Sequence, residues 1–182
     1  MSDDQSASLR LITPPASEPI SLASAKLFLR IEYSTEDEVV TRAITAARVA
    51  AEQYLGLALL PQTWDYTIAN PAPTSLALPF GPAQSLTSLT LTTEAGASST
   101  MNAANYRLSV DGWTIFFDPS LSIERLTVRY VAGIATSAAE IPTDIIQGML
   151  HHIAAMIAAR DGSAPMPAQS VVCYRLHRRV RL

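Results

Sequence analysis

The sequence predicts an α+β fold: a helical hairpin and a third helix packed with a small antiparallel sheet of four to five strands, plus an extended C-terminal tail. Apolar residues recur at steps of three and four before residue 56 and after residue 142, as on one face of a helix. Between residues 63 and 131 they alternate with polar residues, as in half-buried strands. Because helical and strand patterns are segregated along the chain, the pattern favours α+β over parallel βαβ units.

Three regions are expected along the 182 residues. Residues 1–20 contain prolines that interrupt helices, and they are predicted to form an irregular arm. Residues 21–162 hold the helical and strand patterns and make one domain, since their number suits a single core. Residues 163–182 begin with a proline-containing linker and end in a basic tail.

Two helices open the domain, over about 21–30 and 35–55. Ser21 is placed to cap the first. Thr35 and Glu38 have the spacing of a capping box for the second, and Gly56 is placed to end it with a positive φ. A short connection predicts that the two helices form an αα-hairpin. The apolar stripe of the second helix consists of Val40, Ile44, Ala47, Ala51 and Tyr54/Leu55.

The second helix also carries two oppositely charged pairs four residues apart, Glu38 with Arg42 and Arg48 with Glu52, which are predicted to solvate its outer face. Its many alanines permit close approach of another helix. A chain with 48% apolar and only 16% charged residues has surface to spare for subunit contacts. The candidate subunit-interface residues are therefore Lys26, Arg30, Arg42, Ala47, Arg48 and Glu52.

The strand region contains three alternating segments, at residues 63–68, 86–93 and 125–131. The short segment 75–78 lies among prolines and is predicted as an edge strand or a loop. Residues 94–105 are mostly small and polar, and they are predicted to form an exposed loop.

A hairpin is predicted at Asp111-Gly112, which separates two further alternating segments, 106–110 and 113–117. The Asp-Gly pair favours a type I′ turn, because glycine tolerates the positive φ.

The third helix is predicted over 142–160. Pro142 suits its first position and Asp144 adds favourable charge to its first turn. Gly162 is placed to end it. Its apolar stripe consists of Ile146, Met149/Leu150, Ile153 and Met156/Ile157.

The search for catalytic chemistry is negative. The sequence has no glycine-rich phosphate loop, no GxSxG and no HExxH motif, and His151 and His152 are adjacent, so on a helix they cannot share a metal ion. Cys173 is the single cysteine, which excludes an internal disulfide. No enzyme activity, metal or cofactor is expected. The polar, acidic N-terminus is unlike a signal peptide and no run has the length of a membrane span, so the protein is expected inside a cell.

The charge is concentrated at one end. The net charge is −3, but residues 175–182 carry four arginines and no acid, and removing those four charges leaves −7 for the remainder. A basic tail on an acidic body indicates docking on an acidic protein surface or on nucleic acid. The tail alternates as a strand that could pair with another sheet edge, while Val172, Leu176 and Val180, four apart, also permit a helix. The candidate docking residues are Val171, Val172, Tyr174, Arg175, Leu176, Arg178, Arg179, Val180, Arg181 and Leu182.

Several motifs, taken together, resemble the head-tail connector (adaptor) proteins of long-tailed phages. They fall on Leu22, Lys26, Leu29 and Arg30; Glu36–Glu38; Glu52, Tyr54 and Gly56; Gln62–Trp64; Arg129, Tyr130 and Gly133; and Tyr174 with Arg175. The resemblance covers nearly the whole chain from Ser21. The alanine- and arginine-rich composition also fits a phage-derived particle such as a gene transfer agent.

The resemblance implies a structural adaptor that forms a ring of twelve subunits beneath the capsid portal, joins head to tail and passes DNA through its bore. Its partners would be the portal, the next neck or tail-completion (stopper) protein and, transiently, double-stranded DNA. It would be assembled in the bacterial cytoplasm and lie in the neck of the particle, and its tail would dock on the portal. Two other interpretations stay open: a DNA-binding module that uses the arginine-rich tail, and a small enzyme.

Overall fold

The computed structural model describes residues 7–69, 74–93, 95–118, 124–159 and 164–178. The chain forms two compact units, one containing Met1–Ala16 with Pro61–Ile134 and the other Ser17–Leu60 with Ala135–Leu182. The strands of the described residues lie in the first unit and the α-helices in the second, so the predicted α+β class is confirmed.

The strand unit contains more strands than the sequence predicted. They are β1 (Ala7–Thr13), β2 (Gln62–Ala69), β3 (Ser75–Ala77), β4 (Ala83–Thr92), β5 (Ser98–Thr100), β6 (Tyr106–Leu108), β7 (Thr114–Phe117) and β8 (Arg125–Ala132). One antiparallel sheet has the order β1-β2-β8-β4-β5 and a second has the order β3-β7-β6. The predicted edge position of residues 75–78 is confirmed by β3.

Two segments predicted as irregular are strands. Residues 7–13 of the predicted arm form β1, which pairs with β2, and residues 98–100 of the predicted loop form β5, which pairs with β4. Both are edge strands with mostly exposed side chains. Their burial patterns therefore lack the alternation of buried and exposed side chains that marks the inner strands.

The centre of the large sheet follows the predicted alternation. In β8 every second side chain is buried, beginning with Leu126 and ending with Ala132. Trp64 lies opposite Tyr130, and Leu89 lies opposite Val128. Because paired residues of antiparallel strands project to the same face, these side chains form one apolar layer.

On the other face of β8, Arg129 lies directly opposite Asp65 of β2. Arg129 Nε and Nη2 each donate to one oxygen of the Asp65 carboxylate, both at 2.7 Å. These hydrogen bonds outweigh partial burial, so the pKa of Asp65 is lowered.

We expect this ion pair to make the stability of the sheet dependent on acid. A carboxyl group with a lowered pKa in the folded state stabilises the protein above its unfolded-state pKa, and that contribution is lost as the pH falls through the folded-state pKa. Wild type should therefore lose more free energy of unfolding than Asp65→Asn when the pH is lowered from 5 to 2. Chemical denaturation at both pH values measures this, and equal losses would contradict it.

The predicted hairpin is confirmed between β6 and β7, but its turn is not type I′. That turn needs positive φ at both central residues. Gly112 has φ +73°, whereas Arg30 is the one non-glycine residue with positive φ in the part of the chain that the structure describes. The Asp111 carboxylate instead accepts bonds from Ser109 Oγ at 2.5 Å and from the Trp113 N–H at 3.1 Å. Gly112 is required for a second reason, since a Cβ there would lie 2.5 Å from the carbonyl oxygen of Ala83.

The helical unit contains α1 (Leu22–Leu29), α2 (Asp37–Leu55), α3 (Thr143–Ala158) and α4 (Ala168–Tyr174). Ser21 caps α1 by accepting from the Ser24 N–H at 3.1 Å, as predicted. Gly56 ends α2 with φ +72°, and α1 packs against α2 as the predicted hairpin. The predicted stripe of α2 is buried at Val40, Ile44, Ala47, Ala51 and Leu55.

Three details of the helices differ from the prediction. Thr35 and Glu38 make no capping box, because α2 begins at Asp37. Lys26 Nζ binds the Asp37 carboxylate at 2.5 Å and the Tyr33 carbonyl oxygen at 2.9 Å. Pro142 precedes α3 as its N-cap instead of opening it. In α3 the buried stripe begins at Ile145 instead of Ile146. The predicted stop at Gly162 lies outside the described residues.

The predicted extended tail is wrong for residues 168–174, which form α4 and pack against α3. A strand would place Ser170, Val172 and Tyr174 on one side. In the helix, Ser170 and Tyr174 are completely buried and Val172 is exposed. Seven residues fit either period, and the packing partner on α3 decides between them.

Candidate functional site

The C-terminal segment is the predicted docking element, and three groups of contacts hold it against the helical unit. Tyr174 lies over Gly148 of α3, which leaves room for the ring because it has no side chain: a Cβ on Gly148 would lie 2.9 Å from Tyr174 Cζ. Ser170 Oγ donates to the Gly148 carbonyl oxygen at 2.7 Å. The ring of Tyr174 also contacts Tyr54 of α2, with ring centroids 5.9 Å apart.

Charged groups continue this attachment beyond the end of α4. His177 Nε2 lies 2.6 Å from Asp144 Oδ2 in the first turn of α3. Burial raises the pKa of Asp144, but the hydrogen bond and charge of His177 outweigh it, and the net shift is downward. The Arg178 guanidinium lies over the Tyr54 ring, 5.2 Å from its centroid. The chain is therefore held as far as Arg178.

The outward side of this segment combines apolar and basic side chains. Val172 is 67% exposed and Leu176 is 90% exposed. Arg175 is exposed as well. Among the predicted docking residues, Val172, Arg175, Leu176 and Arg178 are therefore accessible, Tyr174 is buried, and Val171 is half-buried. Arg179, Val180, Arg181 and Leu182 lie outside the described residues.

The candidate interface residues divide into two groups. Lys26, Arg30 and Arg42 lie on or near the surface, with Lys26 bound to Asp37 and Arg42 bound to Glu38 at 3.0 Å. The others are buried within the protomer: Ala47 completely, and Arg48 and Glu52 almost so. A contact with a neighbouring subunit therefore stays a prediction for Lys26, Arg30 and Arg42.

The Arg48–Glu52 pair was predicted on the solvated face of α2, and that prediction is wrong. Arg48 Nη1 donates to Glu52 at 2.8 Å, and its Nε donates to Glu18 at 2.8 Å. Glu52 Oε1 accepts the Leu59 N–H at 3.0 Å. Burial lowers the pKa of Arg48, but the hydrogen bonds and charges of Glu18 and Glu52 outweigh it, and the net shift is upward. The pair thus joins the segment before α1, the helix α2 and the chain after it.

Sequence reasoning missed several residues that hold the C-terminal segment: Gly148, Ser170, and the pair Asp144 and His177. Only Gly148 carried a signal, because a glycine inside a helical pattern often marks close packing. The others are recognised only when their partners are brought together.

The described residues contain no group of three or more His, Cys, Asp or Glu side chains arranged to hold a metal ion. His152 is buried, with Nε2 3.3 Å from the Ala164 carbonyl oxygen. Within the same residues, none of the helices combines the length and the apolar character needed to cross a membrane.

Solved structures with a similar fold come from gene transfer agent (GTA) particles. A chain in the virion of the native GTA particle superposes with a TM-score of 0.81 at 23% identity, covering 96% of each chain. A chain in the neck of the empty particle, computed with C6 symmetry, gives a TM-score of 0.82 at 22% identity, covering 96% of this chain and 97% of that one. A chain in the neck of the native particle, computed with C12 symmetry, gives 0.72 at 22% identity with the same coverage. At this identity the similarity shows a shared fold. No curated protein matches in sequence.

The family comparison identifies the chain more directly. The model of the head completion protein family matches residues 18–153. That range contains α1 and α2, the strands after them and most of α3, which is well over half of the chain. A match to this family indicates a structural protein and not an enzyme. Because the match covers well over half of the chain, the chain belongs to the head completion protein family.

Proposed function

We propose that this protein is a head-tail connector that forms a ring of twelve subunits beneath the capsid portal, joins head to tail and passes DNA through its bore. The match to the head completion protein family carries the proposal. The fold shared with chains of two GTA necks, computed with C6 and C12 symmetry, supports a place in the neck and a ring. We also propose that it is assembled in the bacterial cytoplasm.

The partners follow from a place in the neck: the portal above, the next neck or stopper protein below, and duplex DNA during its passage. Apart from its four terminal arginines, the chain carries a net charge of −7. Such charge, repeated around a ring, repels phosphates and allows the duplex to slide.

The basic end of the chain is the proposed portal-docking element. Arg175 and Arg178 end the segment held on the helical unit, and Arg179 and Arg181 follow. Guanidinium groups form bidentate bonds with carboxylates, so an acidic rim on the portal would suit them. Since α4 is already folded in the protomer and the chain is held as far as Arg178, docking does not require the folding of α4. Twelve weak contacts would then act together.

We expect truncation after Arg178 to separate ring formation from docking, because it removes two arginines and leaves α4 with its contacts intact. The purified truncated protein should form the same rings as wild type by electron microscopy and native mass spectrometry. Particles made with it should contain DNA-filled heads without tails. A full-length protein that forms no ring would contradict the adaptor function, and normal tailed particles would contradict docking through this end.

A DNA-binding module is the second candidate, favoured by the same arginines. Four phosphate contacts would make the logarithm of the binding constant fall with the logarithm of salt concentration at a slope of about −3.6. Duplex binding with that slope by a monomeric protein, lost on truncation after Gln169, would favour this alternative.

A further inference from the structure

An apolar groove lies beside α1, entirely within the helical unit. It has a volume of ≈ 440 Å³ and is lined by Leu22, Ala23, Lys26, Leu27, Ile31 and Asp37. Leu27 on its rim is 83% exposed. The Lys26–Asp37 ion pair and the bond from Lys26 to the Tyr33 carbonyl hold α1 to the start of α2, so the groove is preformed. In an isolated protomer this apolar surface is exposed to water, and such surfaces commonly bind aliphatic side chains of a partner.

A ridge of suitable chemistry is present on the same unit. Val172 lies on α4 and Leu176 in the turn that follows it, where the His177 N–H donates to the Tyr174 carbonyl oxygen at 3.0 Å. Both side chains point away from the buried Ser170 and Tyr174, and we treat them as one ridge. They are 67% and 90% exposed. Tyr174, Ser170 and His177 anchor the segment on its other side, and the ridge is therefore presented without further ordering.

The charges beside the two surfaces are opposite. Residues 164–178 contain Arg175 and Arg178 and no acid. Near the groove, Lys26 is paired with Asp37 and Arg42 with Glu38. The remaining charges that neighbour its lining residues in sequence are Glu32, Glu36 and Arg30, which leaves a net charge of −1. The basic charges beside two ridges would repel each other, whereas the basic ridge and the acidic surroundings of the groove attract each other.

We propose that a second copy of this chain occupies the groove, with the Val172–Leu176 ridge of one protomer inserted beside α1 of the next. Because the two surfaces differ, the contact is heterologous. Repeating it builds a closed ring when the rotation between neighbouring subunits divides a full turn evenly. The proposal rests on the proposed ring and names its contact. It assigns Val172 and Leu176, with Arg175 and Arg178 beside them, to the neighbouring subunit and leaves Arg179 and Arg181 to the portal.

Two single substitutions test the contact from its two sides. Leu27→Glu places a charge in the groove and leaves the ridge intact, while Leu176→Glu does the reverse. Both positions are exposed, so unfolding curves should match wild type. Each variant alone should be monomeric by native mass spectrometry. An equimolar mixture should form a one-to-one dimer and no larger species, because one intact groove and one intact ridge remain. Val110→Glu, at the fully exposed tip of the β6–β7 hairpin, is the matched control and should leave rings unchanged.

Rings formed by either variant, or a mixture that stays monomeric, would overturn the proposal. A second measurement tests the contact independently of whether the ring closes. In a Cys173→Ser background, the double variant Leu27→Cys/Leu176→Cys should give a ladder of disulfide-linked multimers on oxidation, and either cysteine alone should give dimers at most. Wild-type rings without a ladder would overturn this contact alone. A ladder without wild-type rings would retain the contact and refute the ring.

Discussion

Replacing Arg48 with alanine should lower the free energy of unfolding by about 3–5 kcal/mol, because it leaves a buried carboxylate without its counter-ion. Arg48 is 4% exposed and Glu52 is 3% exposed, and the guanidinium binds both Glu52 and Glu18 at 2.8 Å. Glu52 must also keep accepting the Leu59 N–H. Denaturant unfolding of the purified protein measures the loss.

The matched control for this substitution is Arg42→Ala on the same helix. Arg42 pairs with Glu38 in the same four-residue spacing, but the two side chains are 69% and 83% exposed. Its loss should change the free energy of unfolding by no more than about 0.5 kcal/mol. The double variant Arg48→Met/Glu52→Gln should recover much of the stability, since it removes the two buried charges and keeps an acceptor for Leu59. The remaining carboxylate, Glu18, is 28% exposed and still accepts from Thr45 Oγ1. Equal effects of Arg48→Ala and Arg42→Ala would show that burial does not govern this pair.

Gly148→Ala should detach α4 although alanine favours a helix. At an exposed position the change would stabilise a helix by about 1 kcal/mol. Here the added methyl group would overlap Tyr174 Cε1 and lie 2.9 Å from Cζ and 3.0 Å from Cδ1, and the ring is completely buried. Overpacking of this kind costs about 1–3 kcal/mol. Opening of α4 should therefore become about 5- to 150-fold more frequent.

Trypsin cleavage after Arg175, followed by mass spectrometry, reports that opening. Cleavage at this bond should accelerate in Gly148→Ala. The double variant Gly148→Ala/Tyr174→Ala should be cleaved equally fast, because removing the ring relieves the overlap but also removes the packing that holds α4. Tyr174→Phe is the matched control. The Tyr174 hydroxyl is buried with no hydrogen-bond partner among the described residues, and burial raises its pKa. Its removal should thus be neutral or slightly stabilising. Unchanged cleavage in Gly148→Ala would contradict the packing described for α4.

The sequence predicted the helices and inner strands well where one period was repeated several times. The α2 stripe from Val40 to Leu55 and the alternation of β8 were both recognised. The edge strand β5 was missed because its three residues are all polar and exposed, and β1 because its side chains are mostly exposed and prolines follow it closely. The motifs that resemble head-tail connectors were spread over the chain, and the match over residues 18–153 confirms that family.

The candidate site was predicted less completely. The docking residues were chosen for charge and apolar content, and four of them are accessible between Val172 and Arg178. Their conformation was open, because a seven-residue segment satisfies both a strand and a helix period.

By itself the sequence determined that α1, α2 and α3 are helices, which inner segments are strands, and where Ser21 and Gly56 bound two of the helices, because these properties depend on neighbours a few residues apart. Only the tertiary structure decided that Arg48 and Glu52 are buried, since the partner that satisfies Arg48 is Glu18, 30 residues earlier. The same holds for α4, whose Ser170 binds the carbonyl of Gly148, 22 residues away. Burial and choice of partner are set by which distant residues meet, and local periodicity carries no information about that meeting.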